Sequence, residues 1–377
     1  MKIVVAGGGP AGLLFALLTR QRAASCDIDV FEQNAADATF GFGVVFSRGA
    51  LEFLARDAPE IHAAITAAME SWPLQRIVHR DEIVDVDGNG FSAIGRLQLL
   101  QLLQARCREV GIRMRFGAPL DPDSLPAADL VVAADGVQSA LRTRFANVFR
   151  PRIEMLTNRF AWYGTRRRFE CLTLTFRDTP YGAFVAHHYP YSGAMSTFIV
   201  ECEATTWTRA GLDTMSDEAS RRLCEEVFAK DLDGHPLVGN KSIWRNFPLL
   251  RNERWTHRNI VLIGDALRTV HFSIGSGTRL AFDDAIALSR ALEGRPSVDE
   301  ALLHFERERR PVVDKLVAAA TSSSYWYERL SERMALAPWR LAYDYMTRSG
   351  RMSDERLRCE APQFMRLVDS RFGRAPR

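Results

Sequence analysis

Apolar positions along the chain keep three different periods, and each change of period marks a change of element. Residues 2–6 form a short β-branched run. A glycine-rich stretch follows, then helical apolar spacing over 13–20 and a second strand over 27–32. The stretch from Thr39 through Arg48 is glycine-punctuated and too apolar for full exposure, which predicts a loop along a ligand. Residues 82–87 alternate as a half-buried strand and end in the turn cluster Asp87-Gly88-Asn89-Gly90. Gly95-Arg96 opens a helix whose apolar face is Leu97, Leu99, Leu100, Leu102, Leu103 and Cys107, with Arg106 and Arg108 in its last turns. Residues 112–116 alternate as a strand, and 129–134 are continuously apolar, as in a strand buried on both faces of a parallel sheet.

From 158 to 201 the period shortens to two. Segments 160–165, 172–176, 182–189 and 195–202 read as antiparallel strands of a second domain. Ser216-Asp217-Glu218 caps a helix to about residue 230, and 242–247 adds another strand. The first pattern then resumes, with a buried strand over 259–263, a helix over 278–292 with a Phe282, Ala285, Ile286 stripe, and a capping box, Ser297-Val298-Asp299-Glu300. The helix that box opens is expected to end or kink at Pro311. The remainder is helical, amphipathic and rich in arginine.

Gly7, Gly9 and Gly12 match G-x-G-x-x-G between two strands, and Glu32 closes the second strand twenty residues after Gly12. In such a unit Gly7 allows the tight turn, Gly9 lets the backbone approach a pyrophosphate, and Gly12 lets helix pack on strand. The free N–H groups and dipole at the helix start attract phosphates, and Glu32 accepts from a ribose hydroxyl. Pro10, Ala11 and Gln33 flank these positions and are counted with the site. Arg48 has two readings, a contact to a phosphate or substrate carboxylate, or a surface arginine opening a helix. A secretory leader is disfavoured, although Lys2 precedes an apolar run, because four glycines and a proline interrupt that run and Arg20-Gln21-Arg22 follows it.

Bulk composition narrows the partners. The 377 residues are 47% hydrophobic and 25% charged, with mean hydropathy −0.14, which is ordinary for a folded globule of one large or two joined domains. A net charge of +3 suits an anionic cofactor or substrate and falls short of a nucleic-acid footprint. No apolar run is long enough for a membrane span. The six cysteines show no C-x-x-C pair and no metal-ligand spacing, so no metal is expected, and a reducing compartment, the cytoplasm, is. Oligomeric state is left open.

Three motifs occur in one order: the glycine triplet with Glu32, then Asp135-Gly136, then Gly264-Asp265-Ala266. In this arrangement the chain resembles the class A, single-component FAD-dependent aromatic monooxygenases, the p-hydroxybenzoate hydroxylase-like group. The resemblance implies an α/β fold: a Rossmann-like FAD-binding domain interleaved with a substrate domain on an antiparallel sheet, followed by C-terminal helices. The corresponding division is 1–75, 95–156 and 251–320 for FAD binding, 157–250 for substrate, and 321–377 for the C-terminal helices. The strand hairpin 76–94 is a candidate for the substrate side.

By the same resemblance Asp265 meets the ribityl chain of FAD with Gly264 beside it, Arg96 reaches the FAD, and Asp135 and Gly136 lie near FAD and the passing nicotinamide nucleotide. Gly275, Gly277 and Thr278 join the cofactor site. Many members read Gly-Asp-Ala-Ala-His and then a proline; here Leu267-Arg268 follow Ala266, and Phe272 stands where that proline would fall, so the substrate-facing wall differs. Closer likeness, over 195–202 and 271–278, is equally to the salicylyl-CoA 5-hydroxylases and to the violacein-pathway indole hydroxylase. Ile94-Gly95-Arg96 and Arg279-Leu280-Ala281-Phe282-Asp283-Asp284-Ala285 lean towards the first, and Trp162-Tyr163-Gly164-Thr165 and Trp244-Arg245-Asn246-Phe247 towards the second.

The implied activity is NADH- or NADPH- and O2-dependent hydroxylation of an electron-rich aromatic ring through a flavin C4a-hydroperoxide. The favoured substrate is an aryl-CoA thioester of salicylyl type, with an indole or tryptophan-derived metabolite as alternative and a flavin reductase or halogenase more distant. His187, His271 and Tyr163 are the candidate catalytic groups, and Phe272, Ile274, His188 and Tyr189 the candidate pocket. Each also fits a satisfied strand or turn position. Arg166-Arg167-Arg168 is either a contact for CoA phosphates or a solvated strand end.

Overall fold

The computed structural model describes residues 1–372, so the last five positions of the expected 321–377 segment lie outside the described residues. The apolar runs form a six-stranded sheet in the order Thr256–His257, Ile260–Leu262, Leu130–Ala133, Lys2–Ala6, Asp27–Glu32, Arg113–Phe116. It is parallel except at the Thr256–His257 edge. Its central strands are buried because helices cover them: Leu13, Phe15 and Leu17 of helix Pro10–Arg22, Leu99 and Leu103 of helix Arg96–Glu109, and Phe282 and Leu288 of helix Gly277–Leu292 share one core with Val5 and Val132.

The period-two region forms a seven-stranded sheet, Leu237–Gly239, Arg159–Thr165, Ser196–Cys202, Gly182–Pro190, Leu172–Thr179, Gln75–His79, Glu82–Val86. All pairs are antiparallel except Leu172–Thr179 with Gln75–His79. Alternate residues face opposite ways. Tyr163, Phe184, Phe198 and Val200 pack with Cys224 and Phe228 of the helical segment after residue 204. Leu174, Phe176 and Val185 pack on the other side against Trp326, Tyr327, Leu341 and Phe364 of the C-terminal helices.

Several expected boundaries move. Strands Gln75–His79, Phe91–Gly95 and Pro248–Asn252 cross the divisions at 75, 94 and 250. The 39–48 stretch is not wholly loop, since Gly43–Ser47 pairs with Phe91–Gly95 in a three-stranded sheet completed by Glu70–Trp72. Residues 242–247 form no ladder; only an isolated bridge joins Arg245 to Phe160, and the strand is Pro248–Asn252, paired with Pro151–Met155. Ser297 does cap the next helix, its hydroxyl accepting from the Glu300 N–H at 3.2 Å. Pro311 does not end that helix, which runs Val298–Tyr327 and so also crosses the division at 320. Phe305 and Arg309 before the proline and Val313, Val317 and Ala320 after it are all buried, and that burial outweighs a proline cost of about 3 kcal/mol.

One ion-pair network joins the C-terminal half of the nucleotide fold. Asp284, fully buried on helix Gly277–Leu292, lies 2.5 Å from Arg268 and 3.0 Å from Arg309, and accepts from the Gly264 N–H at 3.1 Å. Asp284→Ala would leave the buried Arg268 guanidinium without a counter-charge and Arg309 with only Asp283 at 3.9 Å. A loss of about 3 kcal/mol or more in urea unfolding is expected; a change below about 1 kcal/mol would contradict this account of the network.

Candidate active site

The glycine turn is built by close approach. Gly7 has φ +104°, and a Cβ there would stand 2.2 Å from the Ala134 carbonyl oxygen; one on Gly12 would stand 2.1 Å from the Gly7 carbonyl oxygen. A Cβ on Gly9, by contrast, would meet nothing within 4 Å, and Gly9, Pro10 and Ala11 line a cavity of about 1020 Å³. Glu32 is held at the turn rather than on the cavity wall: its carboxylate accepts from the Gly8 N–H at 2.7 Å and from the Asn34 N–H at 2.8 Å. Gln33 is exposed and off the wall.

Arg96 and Asp265 face each other's charge across the cavity, and neither side chain has a hydrogen-bond partner among the described residues. Enclosure raises the Asp265 carboxyl above its ordinary value, against the pull of Arg96, and lowers the Arg96 guanidinium. Gly136 is on the wall, as are Gly275, Gly277 and Thr278 at the start of helix Gly277–Leu292. Arg48 is exposed at the rim. Asp135 turns away from the cavity, its Oδ2 accepting from the Ala140 N–H at 2.9 Å, and burial raises its carboxyl. Gly264 lies behind the wall, where a Cβ would come within 3.1 Å of Ala11.

A Rossmann-type sheet, an open glycine turn and an unpartnered acid after the last parallel strand meet in one cavity, and the comparisons agree with that geometry. A family described as FAD binding domain matches residues 122–320. Over 361 residues the chain is 42% identical to the salicyloyl-CoA 5-hydroxylase of a Streptomyces sp, covering 93% of this chain and 70% of that protein. The chain belongs to the FAD-dependent aromatic monooxygenases. It is also 38% identical over 348 residues to the protodeoxyviolaceinate monooxygenase of Chromobacterium violaceum, covering 89% of this chain and 91% of that protein. Among solved structures, 2-methyl-3-hydroxypyridine-5-carboxylic acid oxygenase shares the fold, with a TM-score of 0.72 at 20% identity over 87% of this chain and 92% of that one. As a member of this family the monooxygenase uses FAD, with NAD(P)H and O2 as co-substrates.

In the same cavity the monooxygenase presents an aromatic wall centred on Phe272. Its ring centroid lies 5.0 Å from Phe160, 5.3 Å from His187, 6.0 Å from Trp162 and 6.1 Å from Phe247. Ile274 and Tyr189 share the wall, and the Tyr189 hydroxyl donates to the Gly43 carbonyl at 3.0 Å. Behind His187 lies Glu201, its diagonal neighbour across the strand pair, with Oε2 at 3.3 Å from His187 Nε2. Asn158 Nδ2 donates to the other Glu201 oxygen at 2.9 Å, and His271 Nε2 is 4.0 Å from it. Burial alone would raise Glu201, but the histidine rings and the Asn158 amide hold its carboxyl below the ordinary value, so it is ionised at neutral pH.

Three expected site residues lie elsewhere. Strand alternation puts Tyr163 and His188 on the far face of the sheet, where Tyr163 packs beside Cys224 and Phe228 and His188 stacks on Phe198 and contacts the Thr175 hydroxyl at 3.0 Å. His271 is buried behind Phe272, its ring 4.1 Å away, and accepts from the Ser273 N–H at 3.4 Å. The Arg166-Arg167-Arg168 run is off the cavity, with Arg167 3.6 Å from Asp233 and Arg168 3.2 Å from Glu70. Glu201 and Asn158 were missed. The available signal was a lone acid inside the apolar strand Ser196–Cys202.

Burial drops His271 to about 4 and His188 to about 3. Both resist protonation in the folded state, whereas an unfolded histidine takes a proton near pH 6.5. Their contribution is therefore complete above pH 6.5 and is lost as pH falls towards 4. The thermal midpoint is expected to fall between pH 7 and pH 4.5, and less steeply in His271→Gln; parallel profiles for the two proteins would contradict the assignment.

Proposed function

We propose that the monooxygenase hydroxylates the ring of a phenolic aryl thioester of coenzyme A, of salicylyl type. One oxygen atom of O2 enters the ring and the other leaves as water, with NAD(P)H supplying two electrons and a proton from solvent completing the balance. The observation that carries this reading is the make-up of the cavity. It joins the aromatic wall around Phe272 to a charged lining of eight arginines and lysines against two carboxylates among the described residues. A ring and a polyphosphate are the two parts such a cavity suits, and the similarity to a salicyloyl-CoA 5-hydroxylase supports the same class.

The residues present fit FAD. Gly9 leaves open space for a pyrophosphate, the helix start at Pro10 offers N–H groups and a positive dipole end, and Asp265, unpartnered, suits the ribityl hydroxyls. Arg96 and the wall glycines Gly136, Gly275 and Gly277 would complete the holding set, with Thr278. When bound, FAD accepts electrons from NAD(P)H and activates O2.

His187 is the general base in this reading. It lies on the wall, receives the phenolic proton, and is oriented by ionised Glu201, which Asn158 holds in place. Removing that proton makes the ring richer in electrons and more reactive towards an electrophilic oxygen. Phe272 and Ile274 shape the ring site and keep water from it. The five buried thiols fit a reducing compartment, the cytoplasm.

An indole-derived substrate is the second reading. It is favoured by Trp162 on the wall and by the similarity to protodeoxyviolaceinate monooxygenase. Comparing kcat/KM for salicylyl-CoA, free salicylate and indole compounds, with hydroxylated product matched to NAD(P)H consumed, separates the readings. The highest value is expected for the thioester, and a preference for free salicylate would overturn both.

Gly9→Asp places a side chain and a negative charge where the phosphates belong, and a colourless protein is expected on purification; full flavin content would contradict the turn's role. His187→Gln is expected to keep its flavin, to lose about 10²-fold in hydroxylation rate, and to release more hydrogen peroxide per NAD(P)H. Wild-type rate and coupling would remove His187 from catalysis.

A further inference from the structure

The cationic lining of the cavity is uneven in how its charges are met. Arg348 is fully engaged, donating to the Ser323 hydroxyl at 2.9 Å, the Ser273 carbonyl at 2.7 Å and the Tyr345 carbonyl at 2.6 Å. Among the rest, three that lie near one another are not. Arg279, in the first turn of helix Gly277–Leu292, has a buried Nε with no hydrogen-bond partner, and its nearest carboxylate, Asp283, is 3.9 Å away. The Arg351 side chain makes no ion pair or hydrogen bond among the described residues. Arg356, on helix Asp354–Glu360, pairs with Glu360 at 2.7 Å and leans on the Arg351 carbonyl at 3.4 Å.

We propose that Arg279, Arg351 and Arg356 form the subsite for the phosphates of an adenine nucleotide, namely the 3′-phosphoadenosine diphosphate tail of the thioester substrate. This rests on the aryl-CoA reading above. Three guanidinium groups against one close carboxylate repel one another, and a polyanion both relieves that repulsion and accepts from the forked donors. Partial burial, and after it repulsion from Arg279 and Arg356, lower the Arg351 guanidinium from its ordinary value. All three line the same cavity as Phe272 and His187, so one ligand can reach ring site and cationic site together. The other arginine run, Arg166-Arg167-Arg168, lies off the cavity, with Arg167 and Arg168 near acids of their own. An NADPH 2′-phosphate shares the same chemistry, and the test separates the two sources.

The test compares wild-type holoenzyme with the double variant Arg351→Gln/Arg356→Gln. Salicylyl-CoA and the salicylyl thioester of pantetheine, which lacks the nucleotide, are assayed side by side, and 3′-phosphoadenosine 5′-diphosphate is titrated calorimetrically. In wild type the CoA ester is expected to have the lower KM. The double variant is expected to cut that advantage about tenfold and to weaken binding of the nucleotide probe by a similar factor. An unchanged KM ratio with unchanged probe binding overturns the subsite, and so does a loss that falls on the KM for NADPH instead. Should wild type turn over neither thioester, the aryl-CoA reading fails. The probe then still decides the subsite: binding that depends on Arg351 and Arg356 upholds a nucleotide-phosphate site, and absence of binding overturns it.

Discussion

A carboxylate without solvent exposure is costly unless donors surround it, and Asp284 is met by Arg268, Arg309 and the Gly264 N–H. Those three groups belong to the loop after the last parallel strand and to the long helix Val298–Tyr327, so a single charge ties both to helix Gly277–Leu292. Asp265, the aromatic hub Phe272 and the glycines at the helix start all lie on the chain between these anchor points. The geometry of both the FAD side and the ring side therefore depends on one buried ion-pair network.

The second constraint is the alternation of the seven-stranded sheet. On strand Gly182–Pro190, His187 and Tyr189 face the cavity while His188 faces the helices behind, although all three are buried. The same alternation sends Trp162 and Tyr163 to opposite faces. One histidine of an adjacent pair comes within 3.3 Å of Glu201, and the other becomes a neutral core residue. Burying Glu201 would be costly alone, and its ionised state is sustained by Asn158 and the two histidine rings around it.

Much of the fold was legible because its signals are local. The glycine triplet, the β-branched parallel strands and the capping box at Ser297 need only near neighbours to be read. Pro311 does not end its helix because a helix-breaking cost is local while the burial of Phe305 and Val317 that offsets it is not. Residues read from a motif, such as Gly9 and Asp265, do lie on the cavity wall. Tyr163 and His188 failed because choosing the face of a strand needs the register of its partners. Glu32, expected at a ribose, and Asp135, expected near the cofactors, are each engaged by backbone N–H groups close by in the chain or the turn. Arg279, Arg351 and Arg356 come from the first turn of one helix and from the C-terminal segment, and no spacing in the sequence joins them.

In the proposed reaction the ring is held at His187, with Glu201 behind it, in a cavity shared with FAD. Its most direct test is an absorbance titration of a phenolic aryl-CoA thioester bound to the oxidised holoenzyme, read at the phenolate band. Ionisation of the bound phenol at a lower pH than in free solution, with the shift removed in Glu201→Gln, is the result the account predicts. A bound phenol that titrates as it does in solution, or one whose shift survives loss of the Glu201 charge, would contradict it.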